Sequence, residues 1–187
     1  MKSTRYVLAF ALGAVCAVAR AQSVATPAAQ TDSQKTFTAL KALAGKWQGP
    51  VTAIPPQKNW GDDKPTQVTM RVTSRGNAIV HEMHDPSVAD DPAKYDHPVT
   101  MFYLDDNRLL LTHYCDAGNR PRMVAKTAPD GKTVDFDFLD VAGDTAYGHM
   151  QHAKFTIIDA NHHIEDWTYL MPGDKPVTGH LELKRVQ

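Results

Sequence analysis

Thr100-Met101-Phe102-Tyr103-Leu104-Asp105-Asp106-Asn107-Arg108-Leu109-Leu110-Leu111-Thr112-His113-Tyr114-Cys115 is a pair of short apolar-rich runs hinged on Asp-Asn. A two-residue hinge of that composition joins antiparallel strands. With Asp106-Asn107 as the turn, Leu104 faces Leu109, Phe102 faces Leu111 and Thr100 faces His113, and Cys115 continues the row. The apolar row is the inner one, so His113 and Cys115 point inward and Tyr114 outward. A one-residue slip would reverse every assignment.

Working outward, Arg75-Gly76 hinges a second pair, with Val72 facing Ile79, Met70 facing His81 and Val68 facing Met83. Arg71, Thr69, Glu82 and His84 share the other side. Val134, Phe136 and Phe138 alternate with Asp135 and Asp137, which turns the aromatics inward. Leu181, Leu183 and Arg185 alternate with His180, Glu182 and Lys184, so Arg185 faces inward and needs a partner such as an indole face. Near Gly148-His149-Met150-Gln151-His152 the parity is open, because the turn at Asp159-Ala160-Asn161 holds two or three residues. Either His149 or His152 then faces in, not both.

Runs of this kind recur through the chain, at 46–54, 66–73, 78–84, 98–105, 108–115, 121–127, 133–140, 148–158, 162–171 and 178–186. Mostly tight connections pair sequence neighbours in space. The expected class is all-β: an antiparallel up-and-down barrel of about ten strands, whose closure leaves no exposed edge. Pro86 to Pro98 is the longest interruption and should loop at one mouth. Phe37, Leu40 and Leu43 recur at spacing three between Ser33, a candidate N-cap, and Gly45, a stop, which predicts one short N-terminal helix.

Residues 1–21 read as a signal peptide: Lys2 and Arg5, an apolar run from Val7 to Ala19, then small residues around Ala19-Arg20-Ala21. The run has about 13 residues, and a membrane-spanning helix needs about 20. No later segment comes close. The expected product starts near Gln22 and is periplasmic or secreted, with a flexible tether over 22–32 and one domain over 33–187. Cleavage leaves Cys115 as the only cysteine, so no internal disulfide forms and stability must come from packing. A net charge of −1 gives no case for nucleic acid or an acidic membrane surface as partner. Oligomeric state does not follow from the sequence.

Chemistry concentrates in Thr112 to Met123, where an imidazole, a phenol, a thiol and two guanidiniums share one strand and the turn after it. As a pocket wall, His113 and Cys115 present polar atoms inside while Asn119, Arg120 and Arg122 stand at the rim, above an inner row of Val68, Met70, Phe102, Leu111 and Phe136. His81, His149 and Trp167 complete the candidate ligand contacts. In a closed core, by contrast, His113 bonds a neighbour and Cys115 acts as a small hydrophobe. Arg120-Pro121-Arg122 suits a carboxylate or phosphate, or an ordinary solvated loop. Inward His81, His113 and Cys115, with one of His149 and His152, would suit zinc or copper. No Cys-x-x-Cys or His-Glu-x-x-His pattern supports that set, and His162, His163 and His180 read as surface residues among nine histidines. Enzymatic use of Cys115 beside His113 is the weakest option, since no third group or oxyanion site is evident. Trp47 reads as a structural plug, Trp60 as part of a polar loop, and Trp167 as core or ligand platform.

The helix Phe37-x-x-Leu40-x-x-Leu43, then Gly45-Lys46-Trp47 opening the first strand, and Arg185 on the last strand resemble the calycin superfamily of lipocalins, fatty-acid-binding proteins and nitrobindins. That resemblance implies that the Trp47 indole closes one barrel end under Arg185. Ten strands are more similar to the fatty-acid-binding and nitrobindin branches than to eight-stranded lipocalins. Thr112-His113-Tyr114-Cys115 through Met123, with His149-Met150, looks like an uncharacterised family of exported bacterial lipocalin-like proteins, over nearly the whole mature chain. Nitrobindins hold haem through a late-strand histidine, for which His149 and His152 are the nearest candidates. The expectation is a small-molecule binding protein of the cell envelope holding an apolar or planar ligand. The alternatives are a haem or transition-metal protein and a structural or partner-binding barrel with a filled core.

Overall fold

The computed structural model describes residues 29–58, 60–128 and 131–186. The expected signal peptide and residues 22–28 of the tether lie outside the described residues. One helix, α1 (Asp32–Lys41), precedes ten strands: β1 (Gly45–Gln57), β2 (Trp60–Thr73), β3 (Ala78–His84), β4 (Val99–Asp105), β5 (Arg108–Tyr114), β6 (Arg120–Thr127), β7 (Thr133–Ala142), β8 (His149–Asp159), β9 (His162–Met171) and β10 (Lys175–Val186). Every strand pairs antiparallel with its sequence neighbours, and β10 returns to β1, so the meander closes into a barrel. The all-β, ten-stranded expectation holds.

The two hairpins adopt the expected registers. Leu104 pairs with Leu109, Phe102 with Leu111 and Thr100 with His113, while Val68 pairs with Met83 and Met70 with His81. Asp106 takes a positive φ of 54°, the backbone a tight two-residue hairpin demands and one that Asp tolerates. Phe102, Phe136 and Phe155 meet edge to face in the interior, with centroids 5.5–6.0 Å apart.

One end of the barrel is sealed. Thr31, not Ser33, caps α1 through a reciprocal box: Thr31 Oγ1 accepts from the Gln34 amide, and Gln34 Oε1 accepts from the Thr31 amide. Gln34 three residues after Thr31 explains the shift, since Ser33 has no such partner. Phe37, Leu40 and Leu43 bury against the barrel. Trp47 donates its indole N–H to Leu43 O at 2.8 Å, and the Arg185 guanidinium lies 4.1 Å over its ring. The three guanidinium nitrogens reach Ala42 O, Ala44 O and Ala160 O, which ties helix, first strand and last strand together. Gly45 makes room for this: a Cβ there would lie 2.3 Å from Arg185 Nη1, at a φ of +147° that side chains avoid. Trp60 opens β2 rather than lying in a loop.

Candidate functional site

The other end is open. There the C-terminal end of β5, the N-terminal ends of β8 and β10, the loop after β3 and the turn after β1 surround a cavity of about 430 Å³. Its wall is apolar, from Val51, Met83, Met150, Val177 and Leu181. The buried rings of His113 and Trp167 close it below, and the more exposed Lys58, Asp96, Asp116 and Met171 stand at the mouth with half-buried Cys115 and Tyr169. The expected loop between Pro86 and Pro98 does sit here, contributing Asp96 and Pro98.

Alternation along β5 sends His113 inward and Tyr114 out. His113 Nδ1 and Thr100 Oγ1, on the neighbouring strand, form a hydrogen bond of 2.9 Å, whereas Nε2 is buried without a partner. Burial pushes the His113 imidazole down to about 3, and the charge of His81 adds to this, so the ring is neutral at physiological pH. Burial likewise pushes the Cys115 thiol up, and the nearby Asp96 and Asp116 carboxylates reinforce it, which leaves a protonated and weakly nucleophilic sulfur.

Beneath Trp167 lies a layer that sequence reading missed. Glu165 is completely buried: Oε2 accepts from Trp167 Nε1 at 2.9 Å and meets His81 Nε2 at 2.9 Å, while Oε1 meets His163 Nε2 at 2.8 Å. Burial alone would raise this carboxyl. The charge of His81 and the hydrogen bonds of both imidazoles outweigh it and hold Glu165 well below the usual carboxylate range. His163 continues the contact to the sealed end, edge-on to Trp47 at 4.2 Å. His163 is thus a core residue, not a surface one. The available signal was β10: once Leu181 and Leu183 face inward, their partners Glu165 and His163 on β9 must do so too.

Of the candidate ligand contacts, His113, Cys115 and Trp167 line the cavity. His81 sits in the layer below, 5.5 Å from the Trp167 ring, and Phe102 belongs to the aromatic core. Asn119 is buried as a loop tie, donating to Asp144 O and Gly148 O, and does not stand at the rim. Arg120 and Arg122 lie on the outer face, because Arg122 pairs with outward Thr112; Arg122 is held by Asp140, with Nε 2.8 Å from Oδ1. Neither His149 nor His152 reaches the cavity. A bulge between Met150 and His152 breaks the alternation, placing Met150 in the wall. His152 turns toward Asp135 and Asp137, and His149 packs on Phe138 at 4.9 Å. The five candidate metal ligands are therefore dispersed, and among the described residues no three His, Cys, Asp or Glu side chains gather as a metal site. The late-strand histidines do not fit a haem in this cavity.

The fold and site together define a closed ten-stranded barrel sealed at one end and hollow at the other. The chain matches no protein-family model and no curated protein. Among solved structures it is similar to Rv2717c from M. tuberculosis, with a TM-score of 0.56 at 11% identity over 81% of this chain and 98% of that one. A looser likeness, with a TM-score of 0.41 at 10% identity, is to a protein of unknown function of the DUF3598 family from Nostoc punctiforme, over 79% of this chain and 48% of that one. The likeness to Rv2717c bears on the fold alone, and that fold fits the calycin-like expectation.

Proposed function

We propose that this barrel is a small-molecule binding protein of the bacterial cell envelope, of the exported lipocalin-like kind, and that its ligand lies in the open-ended cavity against Trp167 and His113. The observation that carries the proposal is the cavity itself. At about 430 Å³ it falls within the ~300–1,000 Å³ typical of small-ligand sites, and its apolar wall with a few polar atoms has their composition. Three methionines, Met83, Met150 and Met171, line it with flexible thioethers that adapt to an apolar or planar guest. The charged start of the chain and the apolar run after it support export.

Native mass spectrometry of protein purified from a bacterial envelope fraction tests both parts. The expected result is a species starting near Gln22 that carries a copurified organic molecule, displaced on replacing Met150 by Trp to fill the cavity. A chain retaining residues 1–21 in the cytoplasm would refute the location. Protein that stays ligand-free after exposure to apolar extracts would refute the binding function.

A further inference from the structure

Resting on the binding function just proposed, we infer that the ligand is an amphiphile that enters apolar end first and leaves a non-anionic polar head at the mouth. The polarity of the cavity divides along its depth. At the floor both ring nitrogens of His113 are buried, Nδ1 against Thr100 at 2.9 Å and Nε2 without a partner, and the Trp167 N–H donates to Glu165. The floor therefore shows ring carbons to the void. Above it the wall is Val51, Met83, Met150, Val177 and Leu181. Among the lining residues Thr66 adds one hydroxyl, which can rotate to a neighbouring backbone carbonyl, and the Tyr169 hydroxyl donates to Tyr147 O. A head group at the inner end would lose water and find no partner, at a cost that an apolar end avoids.

Charged side chains are confined to the mouth, where exposed Asp96 and Asp116 stand with a single lining cation, Lys58. Burial and the Asp116 charge push the Asp96 carboxyl up, against the opposing pull of the Asp116 amide and His97, so the mouth already resists negative charge. A carboxylate head would add another. Glu165 does not tip this balance from below, because the His81 and His163 imidazoles lie 2.9 and 2.8 Å from its oxygens and their charges oppose its own. A neutral or positive head meets no such opposition, and Lys58, Asp96 and Asp116 offer it donors and acceptors. Flexible thioethers on Met83 and Met150 conform to a chain whose own bonds rotate. The class is therefore single-chain amphiphiles with a neutral or positive head rather than fatty acids.

Equilibrium dialysis of the full chain at neutral pH, below micelle-forming concentrations, against octyl glucoside, octyl maltoside, hexyl glucoside and nonanoate tests this. The maltoside should bind within about twofold of octyl glucoside, since its second sugar stays in water, and hexyl glucoside about tenfold more weakly, for two methylenes fewer in the cavity. Nonanoate, with the same eight-carbon tail behind a carboxylate, should bind about threefold more weakly than octyl glucoside at low salt. Met150→Trp, which fills the cavity, should abolish octyl glucoside binding. Should that variant not fold by near-ultraviolet circular dichroism, slower iodoacetamide modification of Cys115 in the unaltered protein with octyl glucoside present decides in its place. Binding that survives Met150→Trp, or leaves Cys115 unprotected, would put the amphiphile outside the cavity and overturn the inference. A maltoside clearly weaker than the glucoside, or hexyl and octyl chains of equal affinity, would overturn the orientation, and nonanoate as tight as octyl glucoside the head assignment. Should none of the four bind while protein from the envelope carries another organic molecule, the amphiphile class fails and cavity binding stands; should neither be seen, both fail.

Discussion

The two ends of this barrel solve opposite problems with similar residues. At the sealed end an indole, Trp47, lies between the Arg185 guanidinium and an imidazole edge, and its N–H goes to a backbone carbonyl. At the open end a second indole, Trp167, lies beside the His113 imidazole, but its N–H goes to a buried carboxylate and its other side borders empty space. The first ring is locked by the main chain of three segments. The second is positioned by side chains alone, which is what a site needs if its surroundings are to accept a guest. Backbone ties are concentrated at the sealed end, and the hollow end is the less filled of the two.

Four substitutions or conditions probe this contrast, in falling order of effect. Trp47→Ala should cost about 4 kcal/mol in urea unfolding, since it empties a fully buried ring site and strands Arg185. A cost below that of any open-end change would erase the distinction. Glu165→Gln should cost about 3 kcal/mol, because it leaves two imidazoles around a group that no longer carries charge, and Trp167 emission should shift with it. An unchanged emission spectrum would mean that Glu165 does not position the indole.

The pH effect comes third. The folded-state value of His113 is about 3 against 6.5 for an ordinary histidine, so the unfolded chain takes up a proton that the folded one refuses. Stability is complete above 6.5 and falls as pH drops, by on the order of 2 kcal/mol on reaching 4.5. Below that the depressed carboxyl of Glu165 adds a further loss in the same direction. Unfolding curves of His113→Phe across this interval should be flatter, and parallel curves would remove His113 as the cause. Smallest is Cys115→Ser, with a change under about 1 kcal/mol. In the unaltered protein iodoacetamide should modify Cys115 more slowly than free cysteine at pH 8, because its thiol is half-buried and pushed up.

How much of this was legible depended on whether alternation stayed unbroken. Between Thr100 and His113 it did, and a single Asp-Asn turn placed each side chain on its face, including the one imidazole that reaches the cavity. In β8 one bulge shifted the phase, so both His149 and His152 were lost from the interior and Met150 gained it. No residue pattern announces a bulge of that kind. In β9, His163, Glu165 and Trp167 alternate with Ile164, Asp166 and Thr168, so both faces carry charge and an apolar side chain, and period two cannot choose between them. A buried carboxylate is unusual unless paired, which made Glu165 the harder reading: His163 and Trp167 flank it on β9, but His81 comes from β3, far away in sequence. Arg120 and Arg122 were legible as residues able to hold an anion, but only the β5–β6 register shows that they belong to the outside.

Closure of the meander also fixes how the molecule could be handled. Val186 ends β10 beside Lys46, and α1 feeds directly into that same strand start, so the described chain begins and finishes at the Trp47 end. A purification tag, fluorescent reporter or surface linkage joined behind β10 would start on the side away from the mouth, and a sensor chip carrying this barrel by its tail would present every cavity to the flow.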